Sequence, residues 1–195
     1  MTYLKFITLL ITLTFIMSCK SQTSEQEFYS KEFKWKIVIP SGFEKIETKD
    51  WRVYQNKGVK AMEKTFDTII ENQTRTIFSF KNGKYNILES NVQPYDVKID
   101  GDYFESNNGV KYAMYKTIKD QVKGAKIDTL SFKKIISGKE FDSFKMTITY
   151  PNKLVLNTLT YSRLFDKTEF TVNITYIDEK EGRKMIEKWE NSVFE

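Results

Sequence analysis

The chain has no histidine and a single cysteine, Cys19, in 195 residues. Without histidine there is no Ser-His-Asp or Cys-His catalytic group, no imidazole metal ligand, and no side chain that ordinarily titrates near neutral pH. One cysteine excludes an intrachain disulfide, so stability has to come from packing. Proline (3) and glycine (8) are scarce; no linker rich in them interrupts residues 28–195 and no internal repeat is detectable, so one domain is expected. Gly101, Gly109 and Gly124 lack the spacing of a phosphate- or dinucleotide-binding loop. Charge of one sign is nowhere concentrated: 31 basic and 26 acidic residues give a net +5 spread along the chain. There is no arginine cluster and no basic stripe interleaved with aromatics, so nucleic acid is not an expected partner. What the chain does hold is aromatic, 15 Phe, 11 Tyr and 3 Trp, and each such ring buries a large area.

Residues 1–18 differ in kind from the rest. Lys5 is their one charge, and an apolar run over 6–17 follows it, the pattern of an export signal. The run is shorter than the roughly 20 residues a helical membrane span needs. Ile16-Met17-Ser18-Cys19 resembles the lipobox of bacterial lipoproteins. That resemblance implies cleavage after Ser18, a diacylglyceryl thioether on Cys19 and acylation of the new amine. Two or three acyl chains then hold the protein at a membrane, at about 0.8 kcal/mol per buried CH₂. Lys20 stands where an inner-membrane lipoprotein of enteric bacteria has Asp, so the resemblance implies the outer membrane. Surface-exported lipoproteins of Bacteroidota carry acidic clusters close to the cysteine; here Glu25 and Glu27 sit late and apart, so a periplasm-facing protein is expected. The Lys-, Asn- and Ile-rich usage suits an AT-rich genome of that group. Residues 20–27 are polar and read as a tether from the lipid to a domain over 28–195.

Within that domain, residues 33–39 alternate bulky apolar with basic residues, the period-two mark of a half-buried strand, and Pro40 with Ser41-Gly42 ends it. Trp51, Tyr54, Met62, Phe66 and Ile69–Ile70 fall at helical spacing. Asn82-Gly83 lies between apolar runs over 76–80 and 85–88 and predicts a hairpin with a type I′ turn. Asn107-Asn108 is a candidate cap for a helix carrying Val110, Met114 and Ile118 and ending before Gly124. Segments 130–136, 141–150, 155–165 and 169–177 follow, joined by connections short enough to demand an antiparallel meander. Asp178-x-x-Glu181 opens a last helix, whose apolar stripe is Met185, Trp189 and Val193. The fold class is α+β, an antiparallel sheet with helices packed on its faces.

The opening strand closing on Ile39-Pro40-Ser41-Gly42-Phe43, the meander, and the ending Trp189-x-x-Ser192-x-Phe194 together resemble the PsbP-like group. That group includes the extrinsic photosystem II subunit, a Ran-binding nuclear import factor and many bacterial lipoproteins. The resemblance spans 28–195 and implies an α/β/α sandwich. Its members mostly bind other proteins or assist assembly, and they share no catalytic machinery. No functional residue of the group maps onto this chain.

The densest acidic stretch is Asp96, Asp100, Asp102 and Glu105. Asp100, Asp102 and Glu105 are weak metal candidates, since hard cations want several carboxylate oxygens on a bent loop; the competing reading is a turn with acids favoured at a helix N-terminus. Tyr150, Tyr161 and Tyr176 with Trp35 either line an aromatic groove or build the core. No catalytic residue and no cofactor is expected, and no carboxylate pair stands out for glycoside hydrolysis. The expectation is a non-catalytic module of the cell envelope, anchored through Cys19, that docks or helps assemble an envelope protein. The alternative is a small-ligand or lipid carrier with a pocket between the sheet and the helices.

Overall fold

A computed structural model describes residues 24–195; Cys19 and the export signal lie outside the described residues. In chain order the elements are β1 (Gln26–Ser30), β2 (Trp35–Ile39), β3 (Glu44–Lys45), α1 (Thr48–Phe66), β4 (Arg75–Asn82), β5 (Asn86–Pro94), α2 (Val97–Asp100), α3 (Tyr103–Gln121), β6 (Lys126–Ile136), β7 (Lys139–Thr149), β8 (Val155–Phe165), β9 (Thr168–Tyr176), α4 (Glu179–Glu190) and β10 (Val193–Phe194). Seven strands form one antiparallel sheet in the order β3-β4-β5-β9-β8-β7-β6, and β1, β2 and β10 form a second, small one. The expected meander is present as β6 to β9, each strand paired with the next.

The period-two pattern of β9 separates the two faces of the large sheet. Phe170, Val172, Ile174 and Tyr176 are buried, while the intervening Glu169, Thr171, Asn173 and Thr175 point the other way. On the apolar face α4 and the small sheet close the main core. There Trp35 meets Trp189 edge-on at 5.9 Å and stacks on Phe194 at 5.8 Å between ring centroids. Trp35, Tyr161 and Tyr176 are all buried in this core, and Tyr150 packs in a separate cluster with Phe144, Met146 and Ile148. Of the two readings of these rings, the core holds for Trp35, Tyr161 and Tyr176, while Tyr150 is partly buried, so no shared aromatic groove forms.

Four further expectations change in detail. The domain begins before residue 28, because Gln26 and Glu27 belong to β1, Glu27 pairs with Lys36 at 2.7 Å and Glu25 with Lys188 at 2.8 Å. The turn at Asn82-Gly83 is a three-residue loop closed by the Asn82–Asn86 pair, with positive φ only at Gly83. The Asn86 side chain holds that loop, donating to Asn82 O at 3.0 Å and accepting from Ile177 N and Asp178 N at 3.2 Å. Two successive positive φ values occur instead at Ser137-Gly138, a two-residue turn between β6 and β7. Helix α1 runs unbroken through Gly58 and stops at Asp67 in the left-handed region, which leaves Ile69 fully outside. At the C-terminus α4 ends at Glu190, so Val193 is half exposed on β10 and Phe194 takes the inward place.

Candidate functional site

A sheet face covered by helices is ordinarily apolar, and this one is so only in part: Phe144, Met146 and Ile148 of β7 pack with Met114 and Ile118, but the neighbouring strands are polar. Opposite the main core, β5 presents Glu89, Asn91 and Gln93, β9 presents Glu169, Thr171 and Asn173, and β8 presents Thr158, Thr160 and Ser162. Helix α3 lies over this face through Asn107, Val110, Lys111 and Met114, and α1 contributes Met62. Between floor and ceiling is a cavity of about 380 Å³. Its floor is mostly hydroxyl, amide and carboxylate, with the Phe144 ring of β7 among them; its ceiling is largely aliphatic.

Buried polar groups are costly unless hydrogen-bonded, and the floor meets that demand by internal pairing. Asn173 donates to Glu89 Oε1 at 2.7 Å and accepts from Thr160 Oγ1 at 2.7 Å; Asn91 donates to both Glu89 oxygens at 3.2 Å. The chain Asn91–Glu89–Asn173–Thr160 thus crosses three strands. Glu89 is 8 % exposed, and burial raises its pKa above the ordinary 4.5, opposed by the hydrogen bonds from Asn91 and Asn173. The Trp51 indole N–H also favours the carboxylate, yet it sits outside hydrogen-bond geometry and has no partner. At the far end Glu169 accepts from the Tyr103 hydroxyl at 3.1 Å and from Gln93. Burial and the neighbouring Glu169 push the Tyr103 phenol far above its usual range. Asp142 accepts from Lys111 at 2.6 Å in a nearly buried ion pair.

Asn107 lines the same cavity and is 7 % exposed. Its amide donates to Ser162 Oγ at 2.7 Å, and its Oδ1 has no partner. It was expected as a helix cap; it sits instead inside α3, because Asp102 caps that helix by accepting from Glu105 N at 2.9 Å. The same capping chemistry accounts for the weak metal candidates. Asp100 accepts from Asp96 N at 2.7 Å, Asp102 is spent on the cap, and Glu105 stands exposed in the first turn of α3. Asp96 caps α2, and its bond to Lys167 at 2.8 Å, with the Lys98 N–H, holds its pKa below the ordinary value. Among the described residues no three Asp, Glu, Cys or His side chains are grouped to hold a metal ion.

The cavity residues escaped the sequence reading because each strand's second face looked like solvent-facing surface. The signal was present: the residues that β5, β8 and β9 turn to the cavity are amides, short hydroxyls and Glu, with no lysine among them, whereas β6, at the edge of the sheet, carries Lys126, Lys133 and Lys134. Another hollow, between β3, β4 and the start of α1, is lined by exposed charges such as Glu44, Lys45, Asp50 and Lys84 and is open to solvent.

No family model matches the chain, and no curated protein matches it by sequence. Its structure is similar to the solution structure of cyanobacterial PsbP (CyanoP) from Synechocystis sp. PCC 6803, with a TM-score of 0.57 over 88 % of this chain and 92 % of that one, at 9 % identity. The fold is PsbP-like α+β.

Proposed function

We propose that this protein is a non-catalytic binding module of the cell envelope, held at the outer membrane through a lipidated Cys19, whose working site is the cavity beneath α1 and α3. The observation that carries this reading is the covered polar face: a hydrogen-bonded floor around Glu89 under about 380 Å³ of space. A stability-driven design would fill that space with apolar side chains, and a cleft of this size with a polar floor and an aliphatic ceiling suits a small molecule. The amide and carboxylate floor favours a polar ligand over a bare acyl chain, so the lipid-carrier form of the alternative is the weaker one.

The test is native mass spectrometry of the full chain extracted from its own envelope. A small molecule bound to wild type and absent from Val110→Trp, which fills the cavity from α3, supports the reading. A wild type that carries nothing, and that no polar metabolite stabilises against heat, overturns it.

A second reading, an assembly module that docks another envelope protein, draws on β6. This strand is 11 residues long, pairs on one side only with β7, and exposes Leu130 and Ile135. Long open edges template strand addition. A photo-crosslinker at Leu130 in the native envelope should capture a specific partner; labelling of nothing but lipid would sink this reading.

A further inference from the structure

We propose that the cavity takes an aliphatic di- or polyamine, its ammonium groups at Glu89 and Glu169 and its methylene chain along Met62, Val110 and Met114. The proposal rests on the ligand-binding reading above and names the ligand class.

Three carboxylates line the cavity, Glu89, Asp142 and Glu169, against one ammonium, Lys111, although the chain as a whole is +5. Lys111 is committed to Asp142 at 2.6 Å. Glu89 is held by the neutral amides of Asn91 and Asn173 with the Trp51 indole N–H nearby, and Glu169 by Gln93 and the Tyr103 hydroxyl, so among the described residues neither has a cationic partner. A buried carboxylate without a counter-cation is an expensive arrangement, and a cationic guest relieves it. The second observation is independent of charge: Asn107, 93 % buried by its 7 % exposure, lines the cavity, and its acceptor oxygen, itself buried, has no partner among the described residues. With the hydroxyl and amide oxygens of the floor, the site is rich in acceptors, so its ligand has to bring donors.

The geometry selects more than a single amine. Glu89 lies opposite Asn173 and Glu169 opposite Gln93, which separates the two carboxylates by four residues along the strands, about 13 Å between backbone positions at 3.3 Å per residue. Between them the ceiling is methylene and thioether. A flexible chain of CH₂ groups ended by ammoniums matches that order of surfaces, whereas a sugar or an acyl anion matches neither end.

Isothermal titration of the full chain in non-ionic micelles tests this with spermidine, 1-aminopentane, 1,5-pentanediol and glutarate as probes. Spermidine should saturate at one per chain and bind at least tenfold tighter than 1-aminopentane, with pentanediol and glutarate not competing. Glu89→Gln and Glu169→Gln should each weaken spermidine at least tenfold, while Glu44→Gln, on the exposed β3, should leave it unchanged. Spermidine that fails to bind, or binds wild type and Glu89→Gln alike, overturns the proposal. Binding of pentanediol or glutarate that Val110→Trp abolishes overturns the amine class while leaving the cavity as the binding site. A thermal melt of Glu89→Gln at or above that of wild type separates lost binding from lost folding.

Discussion

Asn173 Nδ2 lies 2.7 Å from Glu89 Oε1 across the β5–β9 ladder, while Asn173 Oδ1 accepts from Thr160 Oγ1 on β8. The amide is therefore oriented from both ends, and its donor side is fixed on the carboxylate. A side chain with two commitments holds Glu89 in one place, which is what a preorganised binding group requires.

That arrangement costs stability, and the cost has a sign that pH reveals. Burial raises the folded pKa of Glu89 above 4.5, so the folded protein disfavours the ionised form. The penalty is present at neutral pH, shrinks as pH falls through the raised folded value, and is gone below 4.5, where folded and unfolded chains are both protonated. Glu89→Gln should accordingly be more stable than wild type at pH 7, with the gap closing toward pH 4.5. Glu169, Asp142 and Lys111 also line the cavity, so urea titrations of Glu89→Gln and wild type side by side isolate the Glu89 contribution.

Lys111 and Asp142 form an ion pair with side chains only 12 % and 9 % exposed. Lys111→Met removes the nearest partner and leaves a buried carboxylate with Lys133 at 3.9 Å. The expected loss is about 3 kcal/mol, read from denaturant midpoints, and Lys111→Met with Asp142→Leu together should recover most of it. Equal losses in the single and double variants would show that the pair contributes through packing alone.

Gly182 sits in α4 where a Cβ would lie 2.5 Å from Tyr176 Cδ2 and 2.6 Å from its Cγ. The Tyr176 ring is buried in the core at that position, so it yields only by displacing its neighbours. Gly182→Ala should destabilise by about 2 kcal/mol through overpacking, even though alanine is the better helix former. A thermal melt showing stabilisation would mean that the ring yields.

Cys19→Ser removes the thiol that the lipobox reading requires. The variant should leave the envelope membranes and appear in the soluble fraction with the far-UV spectrum of the wild-type domain. Continued partition with membranes would contradict the anchor.

Most of the fold was legible because its signals are local. The meander shows in alternation and in turns at Ser137-Gly138 and Asp166-Lys167, and α4 in its Asp178 cap, which accepts from Lys180 N and Glu181 N. The misreadings came from residues whose role depends on distant partners. Asn107 reads as a cap until Ser162, 55 residues on, claims its amide. Val193 continues a helical stripe in sequence, but Phe194 pairs with Trp35 and turns the chain into a strand. The cavity was the least legible feature, since alternation reports that one face of a strand is polar without saying whether water or a helix covers it.

The most direct measurement of the central claim is an NMR titration of the full chain with spermidine, following the side-chain amides of Asn91, Asn107 and Asn173 and the carboxyl carbon of Glu89. The account predicts saturable shifts at these four groups, with the Asn107 amide moving as its oxygen gains a donor. Shifts confined to exposed acids such as Glu44 and Glu105, with the four cavity groups unmoved at saturation, would contradict it.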